Sequence, residues 1–379
     1  MSQLKQTLEA HPEVPGLVAL VANGEKLDDV EVVALGTAEQ HGRVPVARDS
    51  IFRIASMSKP VTAAATMVLV DDGRLALDAP IETWLPELAN RRVLRRPDSE
   101  VDDTVPAARA PTVRDLLTFT WGFGLVLAPP GTLPIQRAID KLQLCQAIPM
   151  PSHYAPPDEW MRQLGTLPLM HQPGARWMYN TGADVLGVLI ARAVKQPFET
   201  FLQERIFAPL GMNDTAFFCP ADKRARFTAS YLTTGLYDPI DGEWSKPPPF
   251  PSGAAGLVST VDDFRAFGAM LLARGGAVLS PAAVAQMTSD QLTPAQRAAS
   301  NDFVNLFVEH SWGFGGSVVT GHDIAGSPGS YGWEGGLGSV WRVDPARHRV
   351  TVLLTNRAFD SPDPPPVAKD FWRAANGSA

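Results

Sequence analysis

Ser56 and Lys59 stand three residues apart in "RIASMSKPVTAAATMVLVDDG", residues 53–73. A serine hydroxyl is a weak nucleophile until a neighbouring base accepts its proton. A lysine can be that base once burial or nearby positive potential disfavours its ammonium form. Both conditions are written into this stretch. The run Val61, Ala64, Ala65, Met67, Val68 and Leu69 predicts an apolar helix that carries its own start into a core. Residues i and i+3 share a helix face, so Lys59 can reach the Ser56 hydroxyl. The positive end of the helix dipole favours an alkoxide and a neutral lysine. Pro60 fits in the first turn, where its missing N–H has no partner to lose. The competing reading is a solvated lysine at a helix start. A second Ser-x-x-Lys match, Ser2 to Lys5, lies at the terminus without this context.

Two further stretches could complete the chemistry. "HQPGARWMYNTGADVLG" places Tyr179, one of five tyrosines, between a Pro-Gly turn and a helix. Near a lysine ammonium a phenol deprotonates more easily and can shuttle a proton to a leaving group. A tyrosine at the edge of a core is the alternative. "GSYGWEGGLGSVWRVDP" sets Gly332, Gly335, Gly336 and Gly338 inside a strand-like run, which weakens a strand unless backbone or ligand must approach closely. An edge N–H at Gly336, paired with that of Ser56, would form a two-donor oxyanion hole, each donor contributing about 3 kcal/mol to transition-state stabilisation. A bulge or sheet corner is the other reading.

Composition narrows the classes. With 379 residues, 45% hydrophobic and 19% charged, the chain can bury a large core. A net charge of −7 without a long basic run argues against nucleic acid. Cys145 and Cys219 have no metal-ligand spacing and read as small core thiols. The seven histidines form no i, i+4 pair, so no metal is expected. There is no Gly-x-Ser-x-Gly elbow, and "GWEGGLG" is not a dinucleotide loop. No cofactor is expected. The first residues hold no apolar leader, and no stretch has the ~18 apolar residues of a membrane span, so a cytoplasmic, non-membrane protein is expected.

The elements that must position these groups follow from periodicity. "VPGLVALVANG" and "VEVVALGTAEQ" read as a strand pair, and "WGFGGSVV", "GSVWRVDP" and "HRVTVLLTN" as an antiparallel meander. Helical patterns fill the middle. "PTVRDLLTF" has a capping box from Thr112 to Asp115, "ADVLGVLIARAV" shows the 3.6-residue period, and "FETFLQERIFAPLGM" runs on to Pro209 and Gly211. Ser259 with Asp262 is the expected start of "STVDDFRAFGAMLLARGG", and "PVAKDFWRAA" reads as a closing helix. The expectation is an α+β protein in which residues 1–55 and 306–379 form a discontinuous domain with an antiparallel sheet. Residues 56–305 form an inserted, mainly helical domain carrying Ser56, Lys59 and Tyr179.

Ser56-Met57-Ser58-Lys59, the Pro-Gly-x-x-Trp-x-Tyr element ending at Tyr179, and Trp333-Glu334-Gly335 together resemble the serine β-lactamase-like superfamily. That group contains class C β-lactamases, DD-peptidases and family VIII carboxylesterases. "DGRLALDAPIETWLPE", "FAPLGMNDT" and "SGAAGLVSTVDDF" resemble it as well, from about residue 15 to about 357. The resemblance implies a β-lactamase/transpeptidase-like fold, with an antiparallel sheet flanked by helices. It implies Ser56 as acylated nucleophile, Lys59 and Tyr179 sharing the acid/base role, and the Ser56 and Gly336 amides as oxyanion hole. Penicillin-recognising members carry Tyr-x-Asn where this chain has Tyr179-Asn180-Thr181, and Lys-Thr-Gly where it has Trp333-Glu334-Gly335. Losing that cation removes an anchor for a carboxylate, and Trp-x-Gly resembles the esterase branch. Trp333, Glu334, Gly335 and Asn180 are therefore expected at the substrate, with Trp121 and Phe123 of "LTFTWGFG" as either aromatic wall or core. The expected activity is cleavage of small carboxylic esters, with weak lactam cleavage compatible with the shared machinery. The alternatives are a β-lactamase or D-amino-acid peptidase, an acyltransferase, and a silent scaffold.

Overall fold

The two ends of the chain meet in one seven-stranded antiparallel sheet. The computed structural model describes residues 2–24, 26–126, 128–144, 148–300 and 306–377; Cys145 lies outside them. The strands are β1 (Gly16–Asn23), β2 (Asp29–Gly36), β3 (His310–Trp312), β4 (Ser317–Val319), β5 (Tyr331–Gly335), β6 (Ser339–Asp344) and β7 (Arg349–Thr355), in the spatial order β2-β1-β7-β6-β5-β4-β3. The late strands form a meander of five rather than the three runs expected: a turn splits "WGFGGSVV" between β3 and β4, and β5 precedes β6. β7 pairs with β1 from Leu17↔Thr355 to Asn23↔Arg349.

Alternation along these strands sends side chains into two separate cores. Leu17, Ala19, Val21, Val340 and Leu353 pack with Leu4 and Leu8 of α1 (Gln3–Leu8) and with the closing helix Pro366–Asn376 through Phe371 and Trp372. Val18, Leu20, Val343 and Val352 face the larger core of the helical region. Burial on both faces explains why β1 reads as an unbroken apolar run.

That larger core is threaded by α2 (Ser58–Asp71), buried without interruption from Ser58 to Leu69. A helix apolar on all sides belongs in a protein interior. Beside it runs α3 (Thr181–Val194), buried from Thr181 to Ile190. A further helix, α4 (Val261–Leu272), packs on β1, β6 and β7. Although within the stretch read as helical insert, it belongs to the cover of the sheet.

Local signals met two different fates. The capping box at Thr112 and Asp115 is present, with both reciprocal bonds. The cap of α4 is Thr260, whose hydroxyl accepts from the Asp263 N–H, one residue later than expected. Ser259 is instead held in a short strand paired with Phe52, and its hydroxyl bonds Thr215 at 2.7 Å. Sheet pairing decided which of two adjacent hydroxyls was left to cap. The helix through residues 198–210 is interrupted by a π-turn, Gln203–Phe207, and ends at Gly211 in the left-handed region, φ +68°.

Candidate active site

Ser56 occupies a 3-10 turn, Ala55–Met57, immediately before α2. The approach is fixed: Phe52–Arg53 pairs with Val258–Ser259, and the Ile54 N–H donates to the Leu257 carbonyl at 3.0 Å. Ser58 closes the turn, donating to the Ala55 carbonyl at 2.7 Å and accepting from the Leu257 N–H at 3.0 Å. Each backbone group thus satisfied removes freedom from the turn. Ser56 keeps one side open to a cavity of about 380 Å³.

Lys59 is fully buried, 0% exposed, which excludes the solvated reading. Its Nζ donates to Ser56 Oγ at 2.8 Å and to the Ala254 carbonyl at 2.7 Å, and stands 4.4 Å from the centre of the Tyr179 ring. Tyr179 lies between the two other groups. Its hydroxyl hydrogen-bonds Ser56 and accepts from the Trp333 indole N–H at 2.8 Å. Burial pushes the phenol above its ordinary value, against those two hydrogen bonds. The sequence suggested the opposite direction from a lysine charge alone. Enclosure of the hydroxyl outweighs it, so the phenol is held in its protonated form.

An aromatic stack fixes the Tyr179 ring. Trp177 stacks on it at 5.6 Å with the planes inclined by 29°, while Phe119 and Trp312 meet it edge-on at 6.0 and 6.4 Å. Trp312 in turn meets Trp333 edge-on at 4.7 Å. These residues come from four separated segments, so no sequence window could have grouped them.

β5 lies close enough to the serine turn to need glycine. A Cβ on Gly335 would fall 2.1 Å from the Ile54 oxygen and 2.2 Å from Ser339 Oγ. Ser339 Oγ donates to that same Ile54 oxygen at 3.0 Å, tying sheet to turn. Gly335 is thus a spacing residue of the sheet, not part of the cavity wall. Gly336 follows it, exposed and lining the cavity with Ser56, and a Cβ there would meet no atom within 4 Å.

The other expected substrate residues divide. Trp333, Glu334 and Asn180 line the cavity. The Glu334 carboxylate bonds Arg342 Nη2 at 2.6 Å, and the 2% exposure of the Arg342 side chain makes this an internal ion pair. Its charge is compensated rather than turned on the ligand. Thr181 is fully buried at the start of α3. Trp121 and Phe123 pack on each other at 5.5 Å inside the large core, 1% and 0% exposed, and contribute nothing to the wall. Backbone bonds from Met170 and His171 to the Gly122 carbonyl turn both rings inward. The wall is instead largely apolar, from Leu125, Tyr154, Leu232, Leu337 and Phe359. The described lining residues include no lysine, arginine or histidine.

Asp184 and the 252–255 turn join the site without being expected there from the sequence. Asp184, 3% exposed on α3, accepts at Oδ1 from Ser252 Oγ at 2.6 Å and from the Ala254 N–H at 3.1 Å. A carboxylate in the first turn of an otherwise apolar helix was the available signal. It also reads as an ordinary dipole partner.

Ser56, Lys59 and Tyr179 come together beside an open, largely apolar cavity, a geometry able to carry acyl transfer through a serine. The Beta-lactamase family model matches residues 4–373. Protein Rv1367c of Mycobacterium tuberculosis (strain ATCC 25618 / H37Rv) is 37% identical over 359 residues, covering 91% of this chain and 86% of that one. Esterase EstB of Burkholderia gladioli is 31% identical over 375 residues, again with 91% and 86% covered. The solved structure of "EstCE1, a hydrolase with promiscuous acyltransferase activity" superposes with a TM-score of 0.79 over 98% of this chain and 96% of that one, at 22% identity, a likeness of fold. The chain belongs to the beta-lactamase family and has its β-lactamase/transpeptidase-like fold, within the serine hydrolases and acyltransferases built on that fold. Among the described residues no helix is long and apolar enough to cross a membrane.

Proposed function

We propose that the protein is a serine carboxylesterase that cleaves small, uncharged carboxylic esters through an acyl-Ser56 intermediate. The observation that carries this reading is the buried Lys59 Nζ at 2.8 Å from Ser56 Oγ, beside a cavity whose wall offers a carboxylate substrate no cation. Ser56 Oγ attacks the ester carbonyl carbon as its proton passes to Lys59. The carbonyl oxygen becomes an oxyanion held by the Ser56 and Gly336 amides. The C–O bond to the alcohol then breaks, and the alcohol leaves with a proton delivered by Tyr179, which Lys59 replenishes. Water repeats the sequence on the acyl-enzyme, returning Ser56 and releasing the acid. A phenol held protonated supports the donor role for Tyr179 and, with it, Lys59 as the acceptor in acylation.

Lactam and D-amino-acid peptide substrates fit less well, because Trp333 stands where their carboxylate would need a cation. Transfer of the acyl group to an alcohol instead of water uses the same steps, and the fold neighbour EstCE1 is a hydrolase with promiscuous acyltransferase activity.

Initial rates on p-nitrophenyl butyrate, with intact-mass analysis of the quenched enzyme, test the reading. Wild type is expected to turn over and to carry a butyryl adduct; folded Ser56→Ala is expected to do neither. Equal rates in the two proteins would overturn the mechanism.

A further inference from the structure

Resting on that reading, we propose that Asp184 is a positioning residue for Lys59, holding the 252–255 turn in place and supplying the negative charge that sets when Lys59 becomes free to accept a proton. Two independent features support it. The first is geometric. Lys59 Nζ is anchored on the Ala254 carbonyl at 2.7 Å, and the Ala254 N–H is anchored on Asp184 Oδ1 at 3.1 Å. Ser252 Oγ binds the same carboxylate oxygen at 2.6 Å and accepts from the Ala255 N–H at 3.1 Å. On the opposite side Thr62 Oγ1 donates to the Gly253 carbonyl at 2.8 Å. The turn is therefore gripped from α3 and α2 together. A Cβ on Gly253 would fall 2.4 Å from the Ala183 oxygen, so the turn has no slack against α3.

The second feature is electrostatic. Burial pushes the Asp184 carboxyl above its ordinary range, while Lys59 opposes that shift by favouring the carboxylate. Such coupling is reciprocal: the carboxylate favours the Lys59 ammonium. Other groups face Lys59 with less charge to offer. Tyr179 is a neutral phenol in the resting site, and Glu334 on β5 is paired with Arg342. Of the acidic groups facing Lys59, Asp184 is the one whose carboxyl has no arginine partner among the described residues.

Removing the charge while keeping an acceptor separates the two roles. Asp184→Asn retains an oxygen for Ser252 and Ala254, so the rate on p-nitrophenyl butyrate at the plateau is expected within about threefold of wild type. The acid limb of its kcat/KM profile is expected at lower pH, because Lys59 loses its ammonium-stabilising partner. Asp184→Ser, a second neutral variant, is expected to shift the limb the same way and also to lose about tenfold in plateau kcat as the turn loosens. Circular dichroism selects folded protein. A folded neutral variant whose acid limb superimposes on wild type overturns the role of Asp184. If wild type still carries its butyryl adduct in that case, the esterase reading stands. A wild type without an adduct sinks both.

Discussion

Gly335→Ala moves the end of β5 away from the serine turn by an amount the structure supplies. The new Cβ would sit 2.1 Å from the Ile54 oxygen, against the 3.4 Å at which ordinary contact begins. Ile54 cannot yield alone, since its N–H is held by Leu257 and its oxygen by Ser339. The end of β5 must retreat by about 1.3 Å, taking Gly336 with it. A shift of ~1 Å in reacting geometry costs about a hundredfold, and losing one oxyanion donor costs ~3 kcal/mol, which is the same order. The expected kcat/KM on p-nitrophenyl butyrate is therefore about a hundredfold below wild type. Overpacking is expected to cost a further 1–3 kcal/mol or so in unfolding free energy, read from urea melts. Gly336→Ala is the matched control: its Cβ meets no atom within 4 Å, so its stability should stay at the wild-type value. A Gly335→Ala protein with wild-type rate and wild-type stability would refute the account of how β5 is set against Ser56.

Trp333→Phe keeps a large ring in the wall but removes the N–H that holds the Tyr179 hydroxyl. One neutral hydrogen bond is worth about 1 kcal/mol, so kcat should fall roughly fivefold with KM little changed; a change confined to KM would make Trp333 a binding surface only. At the surface, hydrogen bonds from Arg226 hold the Asp214 carboxyl below its ordinary range. For a carboxyl depressed in the folded state, the stabilisation is complete above its unfolded value of about 3.9 and is lost as pH falls through the lower folded value. Asp214→Asn should therefore flatten the acid side of the stability–pH curve relative to wild type, and parallel curves in urea titrations would contradict the assignment.

What the chain determines locally was legible in its residues. Two periodicities distinguish strands from helices, so the strand pair, the meander and α3 could be read off. Ser56 and Lys59 are i and i+3 at the head of an apolar run, so their contact needs only one turn of backbone. Long-range pairing settled what local pattern left open. Whether Trp121 and Phe123 face cavity or core depends on the Gly122 carbonyl's partners near residue 170, and which hydroxyl caps α4 depends on Phe52. The direction of the Tyr179 shift reversed because desolvation is a property of everything packed around the phenol, which no neighbour in sequence reports. Asp184 looked like a helix-start charge, and only the return of residues 252–255 to α3 places Ser252 and Ala254 on its carboxylate. Residue types and short spacings define which chemistry is available; burial and contacts between distant segments decide which groups are free to perform it.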